Sequence, residues 1–267
     1  MVKRKILITG AYGLVGNLIF NHLSQEPDAY EVFGLDRSPN PSNRINPEDV
    51  TSIPVKRFYQ VDLNDLVGLK QAVSDKESVI HMAADSGNGN WESILQNNII
   101  GLRNLFEICR ETGVKRVVLA STVMVNLGYR SDEPYKAIME GRFKDVPLNF
   151  RRITKEDPTR PTGIYAVSKV WGEELGFMYA YNYGLSCLCL RIGWVVAENR
   201  PRPNYGHSVW CSFRDICQLI QKCVDAPDDL LFDIFYGFSN NKYRLADIEH
   251  AYEVLGYNPQ DCSEDFD

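Results

Sequence analysis

The sequence predicts an α/β fold, a doubly wound parallel sheet with a small C-terminal cap. Short β-branched runs alternate with longer helical patterns, which implies right-handed crossovers between parallel strands. Several strand-like runs, "VIHMAA" among them, are almost continuously apolar, as strands covered on both faces must be. Three glycines, Gly10, Gly13 and Gly16, fall at intervals of three where the first strand meets the first helix.

Taken in order, strands are expected at Lys5–Thr9, Tyr30–Asp36, Lys56–Asp62, Ser78–Ala84, Lys115–Thr122 and Leu185–Gly193. Between them, helical periodicity runs near 14–25, 65–74, 92–112 and 165–182. The polar, Pro-punctuated stretch from Tyr129 to Pro161 breaks the rhythm. A connection this long is usually functional or mobile, and it reads as an active-site flap with a short helix near Tyr135–Arg142. After Trp194 come a helix (Trp210–Val224), a strand (Leu231–Phe238) and a short helix (Leu245–Leu255), expected as the cap beside the sheet. The division is a nucleotide-binding domain over 1–193, including the flap at 129–161, and a substrate-side cap over 194–267 that does not fold alone. The last residues, "QDCSEDFD", read as a solvated acidic end. No repeat of 20–50 residues is present.

Composition bounds the function. A chain of 267 residues with 44% hydrophobic and 24% charged residues is ordinary for a globular protein. The net charge of -6 argues against nucleic acid as a partner. No apolar stretch approaches the roughly 18 residues of a membrane span, and the N-terminal apolar segment is too short for a signal peptide, so a cytoplasmic location is expected. Seven cysteines and four histidines show no metal-ligand spacing; reduced core thiols and no metal are expected.

A GxxGxxG pattern alone is a weak signal. Here a strand precedes it, a helix follows it, and an acid, Asp36, ends the next strand. Gly10 permits a tight turn, Gly13 lets the backbone approach a diphosphate, and Gly16 lets helix and strand pack closely. The helix N-terminus offers unpaired N–H groups and a partial positive charge. A carboxylate at Asp36 accepts hydrogen bonds from ribose hydroxyls and repels a 2′-phosphate, which favours NAD over NADP; Arg37 beside it works the other way. Asp62 and Leu63, at the end of the third strand, would flank the adenine, although Asp62 read alone is a helix cap.

Tyr165 and Lys169 lie four apart at the start of a predicted helix and so share one face. A tyrosine of ordinary pKa, about 10, becomes a usable general base when an ammonium stabilises its phenolate. Ser121 and Thr122 end the fifth strand, at the sheet edge where ligands bind. One hydroxyl should face the site, and Thr122 is favoured.

Together, "TGAYGLVG", Asp36, "VDLND", "VIHMAA", "QNNIIGLRNLFE", "LAST", "YAVSK" and "LRIG" resemble the extended short-chain dehydrogenase/reductases over residues 3 to 193. The length and the "SVWCSFRDI" stretch resemble the uronate dehydrogenases in particular. The resemblance implies a Rossmann-type sheet, bound NAD and a catalytic set of Thr122, Tyr165 and Lys169. Cofactor contacts would come from Gly10, Tyr12, Gly13, Leu14, Val15, Gly16, Asp36, Asp62, Leu63, Ala83, Ala84, Asn98, Ser121, Tyr165, Lys169 and Ile192. Asn98 would hold a strand end and a water; read without the resemblance it is equally a helix-interior residue bonding a neighbouring loop. Substrate contacts would come from Ser86, Val123, Met124, Trp194 and Arg200. Three positions depart from uronate dehydrogenases: Val123 and Met124 stand where those enzymes have Asn and His, and Trp194 where they have Ser. Their carboxylate-binding Arg has no clear match, Arg200 and Arg202 being the nearest candidates.

The expected activity is oxidation of a hydroxyl, at a C1 hemiacetal, of a sugar or sugar acid by transfer of hydride to NAD. The alternatives are a sugar-nucleotide epimerase or reductase of the same superfamily, for which little chain remains after Arg191, and a non-catalytic NAD-binding regulator. Helices 92–112 and 165–182 carry apolar faces that suit a homodimer. His81 reads as a core histidine, and Ser86 with the "GNGN" loop reads either as a substrate contact or as a flexible loop.

Overall fold

The structure is a computed structural model that describes residues 3–86, 90–147, 149–203 and 206–266. Most of the "GNGN" loop lies outside them. Seven parallel strands form one sheet in the order β3-β2-β1-β4-β5-β6-β7. They are β1 (Arg4–Thr9), β2 (Tyr30–Asp36), β3 (Phe58–Gln60), β4 (Ser78–His81), β5 (Arg116–Thr122), β6 (Ser186–Ile192) and β7 (Phe232–Gly237). The helices that position the site are α1 (Leu14–Ser24), α2 (Leu66–Val73), α3, α4 (Tyr135–Met139), α5 (Ile164–Tyr183), α6 (Phe213–Val224) and α7 (Glu249–Leu255). Helix α3 starts as Trp91–Ile94, widens to a π-helical stretch over Leu95–Gly101 and continues as Leu102–Thr112.

The continuous apolar runs follow from burial on both faces. Successive strand residues point to opposite sides. Ile6 and Ile8 of β1 join one layer with Ile80, Val118 and Leu188, under Ile19 and Leu23 of α1 and Ile216 and Ile220 of α6. Leu7 joins the other with Val79, Val117 and Leu119, under Leu69 of α2 and Leu105 and Phe106 of α3. Each fully buried aliphatic side chain in these layers contributes about 1.5–3 kcal/mol. Helix starts carry their expected signals: Asp65 accepts from Gly68 N (3.1 Å) at α2, and Ser212 from Asp215 N (3.2 Å) at α6.

Three expectations change. The strand expected inside a separate cap is β7, paired with β6 in register from Cys187↔Phe232 to Ile192↔Gly237, so residues after 194 complete the main sheet. No described residue of the 129–161 segment lines the cavities of the site. Tyr129, Tyr135, Ile138, Val146 and Ile153 are buried in the core, and Ile153 bridges to Ala246. Buried apolar side chains explain why this polar-looking stretch is anchored. The acidic end is docked as well: Ser263 is fully buried, and its N–H donates to Asn241 Oδ1 (3.0 Å). All seven cysteines are free, and six are buried.

Candidate active site

The site lies at the carboxyl edge of the sheet between β1 and β4. Helix α1 leaves β1 on one face and α3 follows β4 on the other, which opens a crevice. Gly10 turns the chain after β1 with φ +67°, and a Cβ there would fall 2.7 Å from Ala83 N. At Gly16 a Cβ would fall 2.1 Å from the carbonyl oxygen of Gly10. Neither position holds a side chain without moving backbone. Helix α1 has neither a side-chain cap nor an acidic residue in its first turn, so its leading N–H groups stay open toward the crevice. The residues present therefore fit a dinucleotide diphosphate.

Two adjoining cavities of about 410 and 450 Å³ share Gly10, Gly13, Arg37, Ser42, Met82, Ala84 and Asp85. Each is the size of a small-ligand pocket. The first is lined by Tyr12, Asp36, Asp62, Leu63 and Ala83. Asp36 accepts from Tyr12 N (3.1 Å) and Ser38 N (3.3 Å), which fixes its carboxylate at the end of β2. The second is lined by Leu14, Val15, Gly16, Ser86, Ser121, Thr122, Tyr165, Lys169 and Ile192.

Helix α5 brings Tyr165 and Lys169 to the second cavity on one face. Lys169 Nζ donates to Ala120 O (2.8 Å) and stands 5.6 Å from the Tyr165 ring centroid. Ser121, although it lines the cavity, donates to Glu173 Oε1 (2.5 Å), whereas Thr122 Oγ1 accepts a long bond from Met124 N (3.3 Å). Behind this wall Arg191 donates to both oxygens of Glu173 (3.0 and 2.9 Å) and to Asn126 Oδ1 and Tyr236 OH (3.0 and 2.9 Å).

The protonation balance differs from the sequence expectation. Burial pushes Tyr165 up to about 12, and the charge that opposes it is Arg44 rather than Lys169. Burial also pushes Lys169 down to about 8, against the pull of Glu173. The Lys169 ammonium is directed at a carbonyl, which reduces its hold on the phenol. His81 is buried and bonded to Thr9 Oγ1 (2.7 Å); burial, then the Lys169 charge, hold it near 3 and neutral, as a core histidine.

Not every expected site residue lines the crevice. Asn98 is buried behind it: its Oδ1 accepts from Asp85 N (2.8 Å) and its Nδ2 donates to Asp85 O (2.9 Å) and Ser168 Oγ (3.0 Å). It clamps the loop after β4 from the π-helical stretch of α3, a feature frequent at functional sites. Val123 is 2% exposed and belongs to the core. Met124 and Trp194 line neither cavity; Trp194 packs against the core and bridges to Trp210. Arg200 points toward Phe266, 5.9 Å from its ring. The apolar tail fold claims these last side chains. The sequence reading missed Arg44, Met82 and Asn97 as lining residues. The signal for Arg44 was the long non-periodic connection from β2 to β3.

A parallel sheet with a glycine-lined crevice and a Thr–Tyr–Lys wall defines a dinucleotide-dependent enzyme of the doubly wound class. The chain belongs to the NAD dependent epimerase/dehydratase family, whose model matches residues 6–219. It is 33% identical to the NAD-dependent glucose-6-phosphate dehydrogenase of Haloferax volcanii, over 99% of this chain and 96% of that protein. It is 29% identical to a uronate dehydrogenase of Pseudomonas putida, over 98% of this chain and 86% of that one. The uronate dehydrogenase structure from Agrobacterium tumefaciens superposes with a TM-score of 0.79 at 31% identity, covering 100% of this chain and 88% of that one.

Proposed function

We propose that this protein is an NAD-dependent dehydrogenase that oxidises the C1 hemiacetal hydroxyl of a small sugar or sugar acid. One observation carries the reading: Thr122, Tyr165 and Lys169 meet on one wall of a cavity whose other wall is the glycine turn and open N-terminus of α1. Gly10, Gly13, Gly16 and the first N–H groups of α1 would hold the diphosphate, and Asp36 the ribose hydroxyls. When bound, NAD supplies the acceptor for the hydrogen and electron pair of the substrate C–H bond.

The chain's own residues do the rest. Tyr165 takes the proton from the substrate hydroxyl. Thr122 donates to the same oxygen and orients it. Lys169, whose charge Glu173 supports, would hold the cofactor ribose beside Tyr165. Ser121, committed to Glu173, belongs to the frame of the site. The glucose-6-phosphate and uronate dehydrogenases among the relatives support a small sugar over a nucleotide-linked one. So does the use of residues after Arg191 to build β7 and α6 against the sheet. A cytoplasmic location fits seven unpaired cysteines. A homodimer fits the exposed Ile164, Val167 and Phe177 of α5 and Trp91 and Ile100 of α3.

The test is NADH formation, followed by absorbance, from a panel of uronates, aldoses and sugar phosphates. Turnover with at least one is expected. Tight NAD binding with no turnover on any of them would sink the proposal and favour an epimerase or a regulator.

A further inference from the structure

Arg44 faces the catalytic cavity and is not used by the chemistry proposed above. The loop that carries it is tied down on both sides. Ser42 N donates to Tyr12 O (2.8 Å), Ile45 is buried, and Asn46 Nδ2 donates to Ala197 O (3.1 Å) beyond β6. The loop thus spans the mouth of the crevice from the glycine turn to the segment after β6. From it the guanidinium reaches Ser86, with Nη2 donating to Oγ at 2.8 Å. Some arginines of the chain, such as Arg142, Arg151, Arg160 and Arg214, pair with a carboxylate. Among the described residues Arg44 has no carboxylate at ion-pair distance, and most of its five donors are unclaimed. It lines the cavity that holds Thr122, Tyr165 and Lys169 and not the one that holds Asp36, so it stands at the reactive end.

Such an arginine suits a planar or tetrahedral oxyanion, which it binds through two donors at once. The diphosphate already has the glycine turn and the N-terminus of α1. We infer that Arg44 and Ser86 recognise an anionic substituent of the sugar, a phosphate monoester or a carboxylate, and so set the substrate class of this site. This rests on the dehydrogenase reading for the word substrate, while the anion site itself rests on Arg44 and Ser86.

The experiment measures binding of glucose 6-phosphate, glucuronate and glucose, by calorimetry, to the NADH-saturated protein and to its Arg44→Gln and Arg44→Lys variants. The native chain is expected to bind one of the anionic sugars roughly tenfold or more tightly than glucose. Arg44→Gln should lose about that factor, Arg44→Lys part of it, with NADH affinity held within about twofold. The phosphate and carboxylate arms decide between the two anions. Equal binding of all three sugars by the native chain, or discrimination retained in Arg44→Gln, overturns the inference. So does a loss that falls on NADH, which makes Arg44 a diphosphate ligand. Arg44-dependent anion binding without turnover on any sugar would instead sink the dehydrogenase reading and leave the anion site standing.

Discussion

Replacing Glu173 with Gln tests whether the buried network holds the catalytic helix in place. The side chains of Glu173 and Arg191 are 3% and 2% exposed. Glu173 accepts from Arg191 Nε (3.0 Å), Arg191 Nη2 (2.9 Å) and Ser121 Oγ (2.5 Å). A glutamine keeps one acceptor and turns the other into a donor aimed at a guanidinium. Arg191 then remains charged and buried with no counter-charge. Removing one partner of a buried pair costs about 3–5 kcal/mol. In a chain of this size each kcal/mol moves Tm by about 2–4 °C, so a fall of roughly 6–20 °C is expected. Lys169 sits one turn before Glu173 on α5, so kcat should fall as well, by about tenfold or more, as the helix loses its seat. Thermal unfolding by circular dichroism reads the first effect and steady-state NADH formation the second. A Glu173→Leu, Arg191→Leu double variant removes both charges and should recover much of the loss. Asn126 Oδ1 keeps its bond from Tyr236 OH (2.8 Å) in that background. A single variant that melts within about 2 °C of the native chain, or a double variant as unstable as the two losses added, refutes the reasoning.

Other perturbations follow from the same geometry. Tyr165→Phe should lower kcat by roughly 10²–10⁴ while leaving NAD affinity in place, read by steady-state kinetics and calorimetry; retained turnover would move the base elsewhere. Lys169→Met should raise Tm at neutral pH while abolishing turnover, because burial pushes the lysine down to about 8. The unfolded chain then binds more protons between about pH 8 and 10.5, so native stability rises with pH across that window and the variant's advantage fades there; an advantage independent of pH refutes the assignment. Gly16→Ala drives a Cβ to 2.1 Å from Gly10 O and should cost about 1–3 kcal/mol together with NAD binding; a variant of normal NAD affinity contradicts the cradle. Asp36→Ala should raise the kcat/KM ratio for NADP over NAD by roughly tenfold, and an unchanged ratio would place the ribose elsewhere.

Much of this architecture was legible because it rests on local rules. The two-sided strands announced themselves as unbroken apolar runs, and Gly10 and Gly16 by a spacing that only close backbone contact demands. Tyr165 and Lys169 were legible as a helical i,i+4 pair. What escaped was long-range. β7 looked like part of a cap because nothing in "LFDIFYGF" says which strand it pairs with. The 129–161 segment looked like a flap because its buried residues, Tyr135, Ile138 and Ile153, are spread among charges with no period. Asn98 bonds the loop after β4, the alternative that its sequence context left open beside the cofactor reading. Trp194 and Arg200 were read forward from β6, but the chain turns them toward Trp210 and Phe266. Arg44 carried no signal beyond the length of its connection, since its place depends on a loop tied between Tyr12 and Ala197.

The two titrating groups at the site are shifted in opposite directions by one cause. Burial favours the neutral form of each, raising Tyr165 and lowering Lys169. A tyrosine that accepts a proton needs the reverse, so the chain must concentrate positive charge where burial opposes it. It does: Arg37, Arg44 and Lys169 line the second cavity against Asp85, in a chain whose net charge is -6. That field serves two ends that compete. It eases loss of the Tyr165 proton, and it draws in anions, each of which cancels part of it. An anion seated on Arg44 would cancel part of the charge that lowers Tyr165. The balance is restored only if binding also brings a cation to the tyrosine. The oxidised nicotinamide ring is such a cation and the reduced ring is neutral. With NAD held beside Tyr165, the charge of the oxidised ring would favour loss of the tyrosine proton and the neutral reduced ring would favour its retention.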